Sequence, residues 1–148
     1  MVGRLARYLR FVGCDTVYVR GLTDEAILEL ARTDDRVILT RDRALAARAS
    51  RALLLESPSL SEQWRTVRAG YPDVPTEVRF ERCTLCNGKL APAPKLPVGE
   101  QPAGIPWDRV ERGLPLFRCG TCGHYYWEGS HVSEVRARIA SWSSGVRP

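Results

Sequence analysis

Four of the five cysteines form two pairs with identical spacing, which is the strongest chemical signal in the sequence. Cys83 and Cys86 make the first C-x-x-C motif, and Cys119 and Cys122 make the second. Two residues between paired cysteines let both thiolates of a tight turn reach one ion, and two such turns complete a tetrahedral site. Four protein ligands leave no open position for water, so we expect a structural site filled by zinc, with iron as the main rival. The alternative is four reduced cysteines without an ion.

Asp24 and Asp42 are the candidates for hydrolytic chemistry. Asp42 follows the apolar run 37–40 with one residue between them, and that run is typical of a strand buried on both faces; Asp24 opens a predicted helix. Both are therefore expected at the carboxyl edge of a parallel sheet, where open α/β folds place ligands. Two converging carboxylates can hold Mg²⁺ or Mn²⁺, which activates water against a phosphodiester. The alternative role of each aspartate is to cap or charge the N-terminus of its helix.

Basic side chains outnumber acidic ones by 22 to 17, and the net charge is +5. Such a balance is compatible with a nucleic-acid partner. The residues predicted to contact it are Arg4, Arg7, Arg10, Arg41, Arg43 and His131. The first three follow one another at three-residue spacing along a predicted helix, a pattern that is also typical of a solvated helix face. His131 precedes a predicted helix beside the second cysteine pair, where it could bond a backbone carbonyl or contact substrate.

The elements that must position these residues alternate along positions 1–77. Helices are predicted over 3–12, from residue 23 onward, over 44–49 and over 59–69. Strands are predicted over 16–19, 36–40 and 52–55. This alternation predicts a small three-layer α/β domain with a mostly parallel sheet.

Residues 78–148 are predicted to form a second unit, a zinc ribbon. Strands over 116–118 and 125–127 flank the second cysteine pair, a proline-rich insertion separates the two pairs, and a closing helix covers 133–142. Gly88, Gly120 and Gly123 stand where the cysteine turns are expected to need positive φ.

Taken together, these motifs resemble the Mut7-C RNase domain family. The segments that carry the resemblance are residues 3–10 (GRLARYLR), 13–16 (GCDT), 24–25 (DE), 38–42 (ILTRD) and 119–131 (CGTCGHYYWEGSH). The resemblance covers nearly the whole chain and implies a PIN-like nuclease fold followed by a zinc ribbon. It also implies that Asp24 and Asp42 match acidic residues proposed to bind Mg²⁺ or Mn²⁺ and to cleave RNA.

The sequence departs from the family pattern at its start. Family members usually begin with a strand ending in Asp, immediately before the helix that starts here at Gly3. We therefore expect the first strand and its carboxylate to be missing, which exposes a sheet edge and removes a metal ligand. The prediction is a metal-dependent ribonuclease that this loss could leave inactive. The alternative is a non-catalytic RNA- or protein-binding module in which the zinc ribbon is the working part.

Composition excludes several other classes of protein. Hydrophobic residues make up 44% and charged residues 26%, which is a globular rather than a disordered composition. Mean hydropathy is -0.25, and no apolar run reaches the length of a membrane span. The first residues also lack the apolar stretch of a secretory signal. We therefore expect a cytoplasmic protein with RNA as its partner.

Overall fold

The computed structural model describes residues 2–144, so the last four residues of the predicted second unit lie outside the described range. In chain order the elements are α1 (Val2–Phe11), α2 (Asp24–Thr33), β1 (Ile38–Thr40), α3 (Arg43–Arg48), β2 (Ala52–Leu54), α4 (Leu60–Gly70), β3 (Leu90–Pro92), α5 (Trp107–Glu111), β4 (Leu116–Cys119), β5 (Tyr125–Trp127) and α6 (Ser130–Ser143). None of these helices is both long and apolar enough to cross a membrane.

The strands form two separate sheets. β1 and β2 pair in parallel, with Leu39 opposite Leu53, and α3 makes the crossover between them. β3, β4 and β5 form an antiparallel sheet in that order, which is the ribbon. The mixed α/β class is therefore confirmed. Within residues 2–144 the parallel sheet has two strands, and the three-layer PIN-like arrangement stays a prediction.

Residues 16–19, predicted to be a strand, are not one in the structure. The backbone groups of Thr16 bond to side chains instead: its N–H donates to Asn87 Oδ1 at 2.9 Å, and its carbonyl accepts from Arg10 Nε at 2.7 Å. The run and β1 both line a cleft of about 650 Å³. A β-rich composition produces a strand only where a neighbouring strand supplies ladder hydrogen bonds, and this segment has no such neighbour among the described residues.

Helices from both ends of the chain build the main hydrophobic core. Leu5, Leu9 and Val12 follow one another at helical spacing, and all three are buried. They pack in one cluster with residues of α4 and α6, namely Trp64, Val67, Val135 and Ile139. The indole N–H of Trp64 donates to Ser143 Oγ at 3.2 Å, near the end of α6. The closing helix therefore lies in the same core as the first helix.

Replacement of Ile139 tests how much α6 contributes to this core. Ile139 is completely buried, so Ile139→Ala removes apolar contacts and leaves a cavity. We expect the free energy of unfolding, measured with urea, to fall by about 2–5 kcal/mol. Arg138→Ala, at the exposed neighbouring position, should change it by less than about 0.5 kcal/mol. Equal effects of the two substitutions would contradict the packing described above.

Candidate functional site

The four paired cysteines converge between the two turns of the ribbon. Their Sγ atoms all lie within 4.8 Å of one another. Cys83 Sγ is 3.6 Å from Cys122 Sγ, and Cys86 Sγ is 3.5 Å from Cys119 Sγ. An ion with tetrahedral Zn–S bonds of about 2.3 Å separates its sulfurs by about 3.8 Å, whereas a disulfide bond is about 2.05 Å long. The four free cysteines could therefore bind a metal such as zinc.

The two cysteine turns share one backbone design. After the second cysteine of each pair the chain enters the left-handed region, at Asn87 with φ of 68° and at Gly123 with φ of 76°. The N–H of Asn87 donates to the carbonyl of Cys83 at 2.9 Å, and the N–H of Gly123 donates to that of Cys119 at 3.0 Å. Each turn thus closes on the first cysteine of its own pair.

Gly88 serves the site through its missing side chain. Positive φ is confirmed for Gly123 among the three predicted glycines, but Gly88 and Gly120 do not have it. A Cβ atom on Gly88 would lie 2.9 Å from Cys119 Sγ and 2.5 Å from Thr121 Oγ1. Glycine therefore lets the first turn approach the second closely enough to share an ion.

Hydrogen bonds to sulfur support the thiolate form. The N–H of the second cysteine in each pair donates to the Sγ of the first at 3.5 Å. Tyr126 Oη accepts from the N–H of Thr84 at 3.1 Å and lies 3.1 Å from Cys83 Sγ, so its own proton can be donated to that sulfur. Such bonds around metal ligands orient them and stabilise their charge.

The surroundings of the four thiols lower the pKa of two of them, Cys83 and Cys119, and raise the pKa of the other two, Cys86 and Cys122. Burial is the largest influence on Cys119 and raises its pKa, but N–H donors of its own turn and two neighbouring thiols together lower that pKa to about 6. Burial, followed by hydrogen bonds with the other thiols, raises the pKa of Cys86 to about 12. Burial and then the Cys83 sulfur raise the pKa of Tyr126 to about 12, so its hydroxyl keeps the proton that it donates. Because adjacent thiolates repel, a divalent cation is what allows all four to ionise together.

Arg10 lies inside this region, away from the exposed Arg4 and Arg7 with which it was predicted to contact nucleic acid. The residue is 7% exposed. Its Nη1 donates to the carbonyls of Thr84 and Leu85 at 3.2 and 3.1 Å. These are the two residues between the first pair of cysteines. Arg10 therefore joins the end of α1 to the first cysteine turn.

The two candidate carboxylates contact opposite ends of α3. Asp42 is the N-cap, and its Oδ1 accepts from the N–H groups of Ala44 and Leu45 at 2.8 and 3.1 Å. Asp24 Oδ2 lies 3.4 Å from Nη1 of Arg48, the last residue of α3. Within residues 2–144, the other oxygen of each aspartate accepts no hydrogen bond. In the same range, the four cysteines are the only group of three or more potential metal-binding side chains that come together.

The remaining predicted nucleic-acid contacts are all exposed: Arg4, Arg7, Arg41, Arg43 and His131. Arg7 and His131 lie beside the same ring, with the Arg7 guanidinium 5.8 Å and the His131 ring 5.9 Å from the Phe11 centroid. Arg41 and Arg43 flank Asp42 at the carboxyl end of β1. The structure therefore brings Arg7 and His131 together at Phe11 and places Arg41 and Arg43 beside Asp42, whereas Asp24 lies at the other end of α3.

Tyr126 and Asn87 are site residues that the sequence analysis missed. Asn87 could have been found by aligning the two cysteine turns, since it occupies the position of Gly123 and asparagine tolerates the left-handed region. No local signal marks Tyr126, because its hydroxyl reaches Cys83 across the ribbon, 43 residues away in sequence.

The metal content of the purified protein tests the four-cysteine site. We expect one zinc ion per chain by elemental analysis. Cys119→Ser should lose that zinc and unfold the ribbon, because a structural zinc supplies much of the folding free energy of a small unit. Cys14→Ser is the matched control, since Cys14 lies outside the cluster. A folded wild-type protein without zinc or iron, or full zinc binding by Cys119→Ser, would contradict this expectation.

Comparison with known proteins agrees with the resemblance found in the sequence. The sequence profile of the Mut7-C RNAse domain matches residues 1–139, which include both candidate aspartates and all four ribbon cysteines. No curated protein and no solved structure gives a significant match. The description of the family points to a ribonuclease-related function. Because the match covers most of the sequence, the chain belongs to the Mut7-C RNAse domain family.

Proposed function

We propose that the protein hydrolyses RNA phosphodiester bonds with Mg²⁺ or Mn²⁺ held by Asp24 and Asp42, on a PIN-like α/β domain with a zinc-loaded ribbon. The observation that carries this proposal is the family match over residues 1–139. The position of Asp42 supports it, because Asp42 lies two residues after the end of β1, between two exposed arginines, at the edge where α/β sheets place ligands.

The two aspartates fit the chemistry of a hard divalent cation. Mg²⁺ is commonly held by one or two carboxylates, with water and substrate phosphate as its other ligands. Each aspartate has an oxygen without a hydrogen bond in the described part of the chain. The contact between Asp24 and Arg48 is exposed, and exposed pairs contribute little stability, so a cation can replace it. When bound, such a cation lowers the pKa of a coordinated water and offsets charge on the scissile phosphate.

The chain itself orients the carboxylate and the substrate. The first N–H groups of α3 hold Asp42 Oδ1, so the carboxylate cannot rotate freely and its second oxygen needs no reorganisation to bind. Arg41 and Arg43 lie on either side and can contact phosphates flanking the scissile bond. Arg43 also pairs with Glu56 at 2.8 Å, which limits the movement of its long side chain.

Asp42→Asn separates the catalytic role of Asp42 from its capping role. Asparagine caps a helix about as well as aspartate but carries no charge. We therefore expect cleavage of single-stranded RNA in Mg²⁺ or Mn²⁺ to fall more than about 100-fold, with the melting temperature nearly unchanged. Asp73→Asn, at an exposed position outside the candidate site, is the control. Wild-type activity in Asp42→Asn, or no cleavage by the wild type in either cation, would refute the proposal.

Salt dependence tests whether the surface formed by Arg4, Arg7 and His131 contacts RNA. Each phosphate contact to a single strand contributes about 0.7 to the slope of log affinity against log salt concentration. The double variant Arg4→Met/Arg7→Met should therefore reduce that slope by about 1.4, in fluorescence anisotropy titrations.

A control variant separates these contacts from the effect of net charge. Arg109→Met/Arg112→Met removes the same charge on and just after α5. Its slope should stay close to that of the wild type. Equal slopes in all three proteins would show that Arg4 and Arg7 form a solvated helix face and do not contact RNA.

A non-catalytic binding module is the second candidate function. It is favoured by the structural partners that both aspartates already have: Asp42 caps α3 and Asp24 pairs with Arg48. RNA binding that depends on Arg4 and Arg7, without divalent-dependent cleavage by the wild type, would support this function over hydrolysis.

A further inference from the structure

Arg10 carries a buried positive charge that the described chain does not pair with a carboxylate. No Asp or Glu oxygen in residues 2–144 forms an ion pair with it within 4.0 Å. The nearby Asp15 carboxylate pairs with Arg36 and Arg82 instead. The acceptors for the Arg10 guanidinium are carbonyl oxygens of Thr16, Thr84 and Leu85. Neutral carbonyls satisfy its N–H groups but not its charge, and burying an uncompensated charge is costly.

The cysteine cluster supplies the missing opposite charge. Four thiolates around one divalent ion carry a net charge of about −2. Two of the three carbonyls that bind Arg10 belong to the turn between Cys83 and Cys86, so the guanidinium is hydrogen-bonded to the turn that carries two of these sulfurs. Opposite charges at short range in a partly buried setting attract far more strongly than in water.

We propose that Arg10 is the counter-cation of the four-cysteine metal centre and couples metal binding to the docking of α1 against the ribbon. This inference rests on the metal occupancy proposed above. It makes Arg10 a positioning residue, which acts on the metal through the thiolates and the turn that holds them.

A second contact couples the same turn to the chain after α1. Asn87, directly after Cys86, accepts a hydrogen bond from the N–H of Thr16 at 2.9 Å and donates one to Asp15 Oδ1 at 2.7 Å. The turn that orders around an ion thus also holds residues 15 and 16. Because a cysteine turn without its ion loses the bonds that fix it, metal loss should release both contacts together.

Three variants separate the charge of Arg10 from its packing. Arg10→Met keeps much of the length and apolar stem, Arg10→Lys keeps the charge without the forked donors, and Arg4→Met is the exposed control on the same helix. Zinc affinity is measured by competition with a chromophoric chelator. We expect Arg10→Met to weaken it by about 10–100-fold, Arg10→Lys to weaken it less, and Arg4→Met to leave it unchanged.

Cobalt substitution supplies a readout that packing alone would not move. Loss of the counter-cation raises the energy of the thiolate electrons, so the sulfur-to-cobalt charge-transfer band of Arg10→Met should move to lower energy. The band of Arg4→Met should coincide with that of the wild type. An unmoved band in Arg10→Met, zinc affinity within twofold of wild type, or equal losses in Arg10→Met and Arg10→Lys would overturn the proposal.

Hydrogen exchange on the wild-type chain tests the coupling between metal binding and α1 even if Arg10→Met does not fold. Removal of zinc should reduce protection in the last turn of α1 and in residues 14–16 together with the ribbon. Unchanged protection there would overturn the proposal. A wild type that binds no metal overturns the metal site itself, and elemental analysis distinguishes that result from a failure of the Arg10 coupling.

Discussion

The four cysteine sulfurs lie within 4.8 Å of one another, so as thiolates they repel, and we expect the ribbon to keep its shape only when a cation offsets that repulsion. Few buried apolar side chains stabilise the ribbon. Between residues 78 and 129 the one buried large apolar side chain is Leu116, and the other buried residues are Cys83, Thr84 and Cys119. We expect a unit with so few buried apolar groups to depend on a bound metal for stability. The close approach of Gly88 and the hydroxyl of Tyr126 both serve this one centre.

The ribbon is also anchored by the path of the chain around it. The chain leaves the main core at the end of α4, forms the ribbon and returns to the same core with α6. Phe80 and Phe117 stack with their rings 4.9 Å apart, so the chain entering the ribbon packs against β4. Since α6 buries Val135 and Ile139 against α1 and α4, the two ends of the ribbon are fixed by apolar packing. Arg10 also connects this core to the first cysteine turn.

The features predictable from the sequence are those that local patterns determine. Apart from α5, which lies in the predicted proline-rich insertion, the helices fall within a few residues of their predicted limits. Thr23 caps α2 as expected, and the cysteine spacing identifies the four residues that could bind a metal. The other features depend on contacts between residues that are distant in the sequence. Arg4, Arg7 and Arg10 share a three-residue spacing, but each step turns about 60° short of a full turn, so Arg10 lies about 120° around the helix from Arg4. Arg4 is therefore exposed to solvent, whereas Arg10 lies on the side of α1 that contacts the first cysteine turn. Likewise β3 forms in a proline-rich stretch because β4 pairs with it, and residues 16–19 form no strand because no strand among the described residues pairs with them.

Under the proposed function, the ion pairs around α3 couple the binding of RNA to the binding of a divalent cation. Asp24 and Glu25 share Arg48, with their nearest oxygens at 3.4 and 2.7 Å, and Glu56 holds Arg43. An RNA phosphate competes for the same guanidinium groups, because arginine binds phosphate through paired hydrogen bonds as it does carboxylate. A phosphate that takes Arg48 leaves Asp24 without its cation, and a divalent ion then relieves that unpaired charge. Binding of RNA and binding of Mg²⁺ or Mn²⁺ at Asp24 therefore reinforce each other, as expected of a site in which substrate phosphate is itself one of the metal ligands.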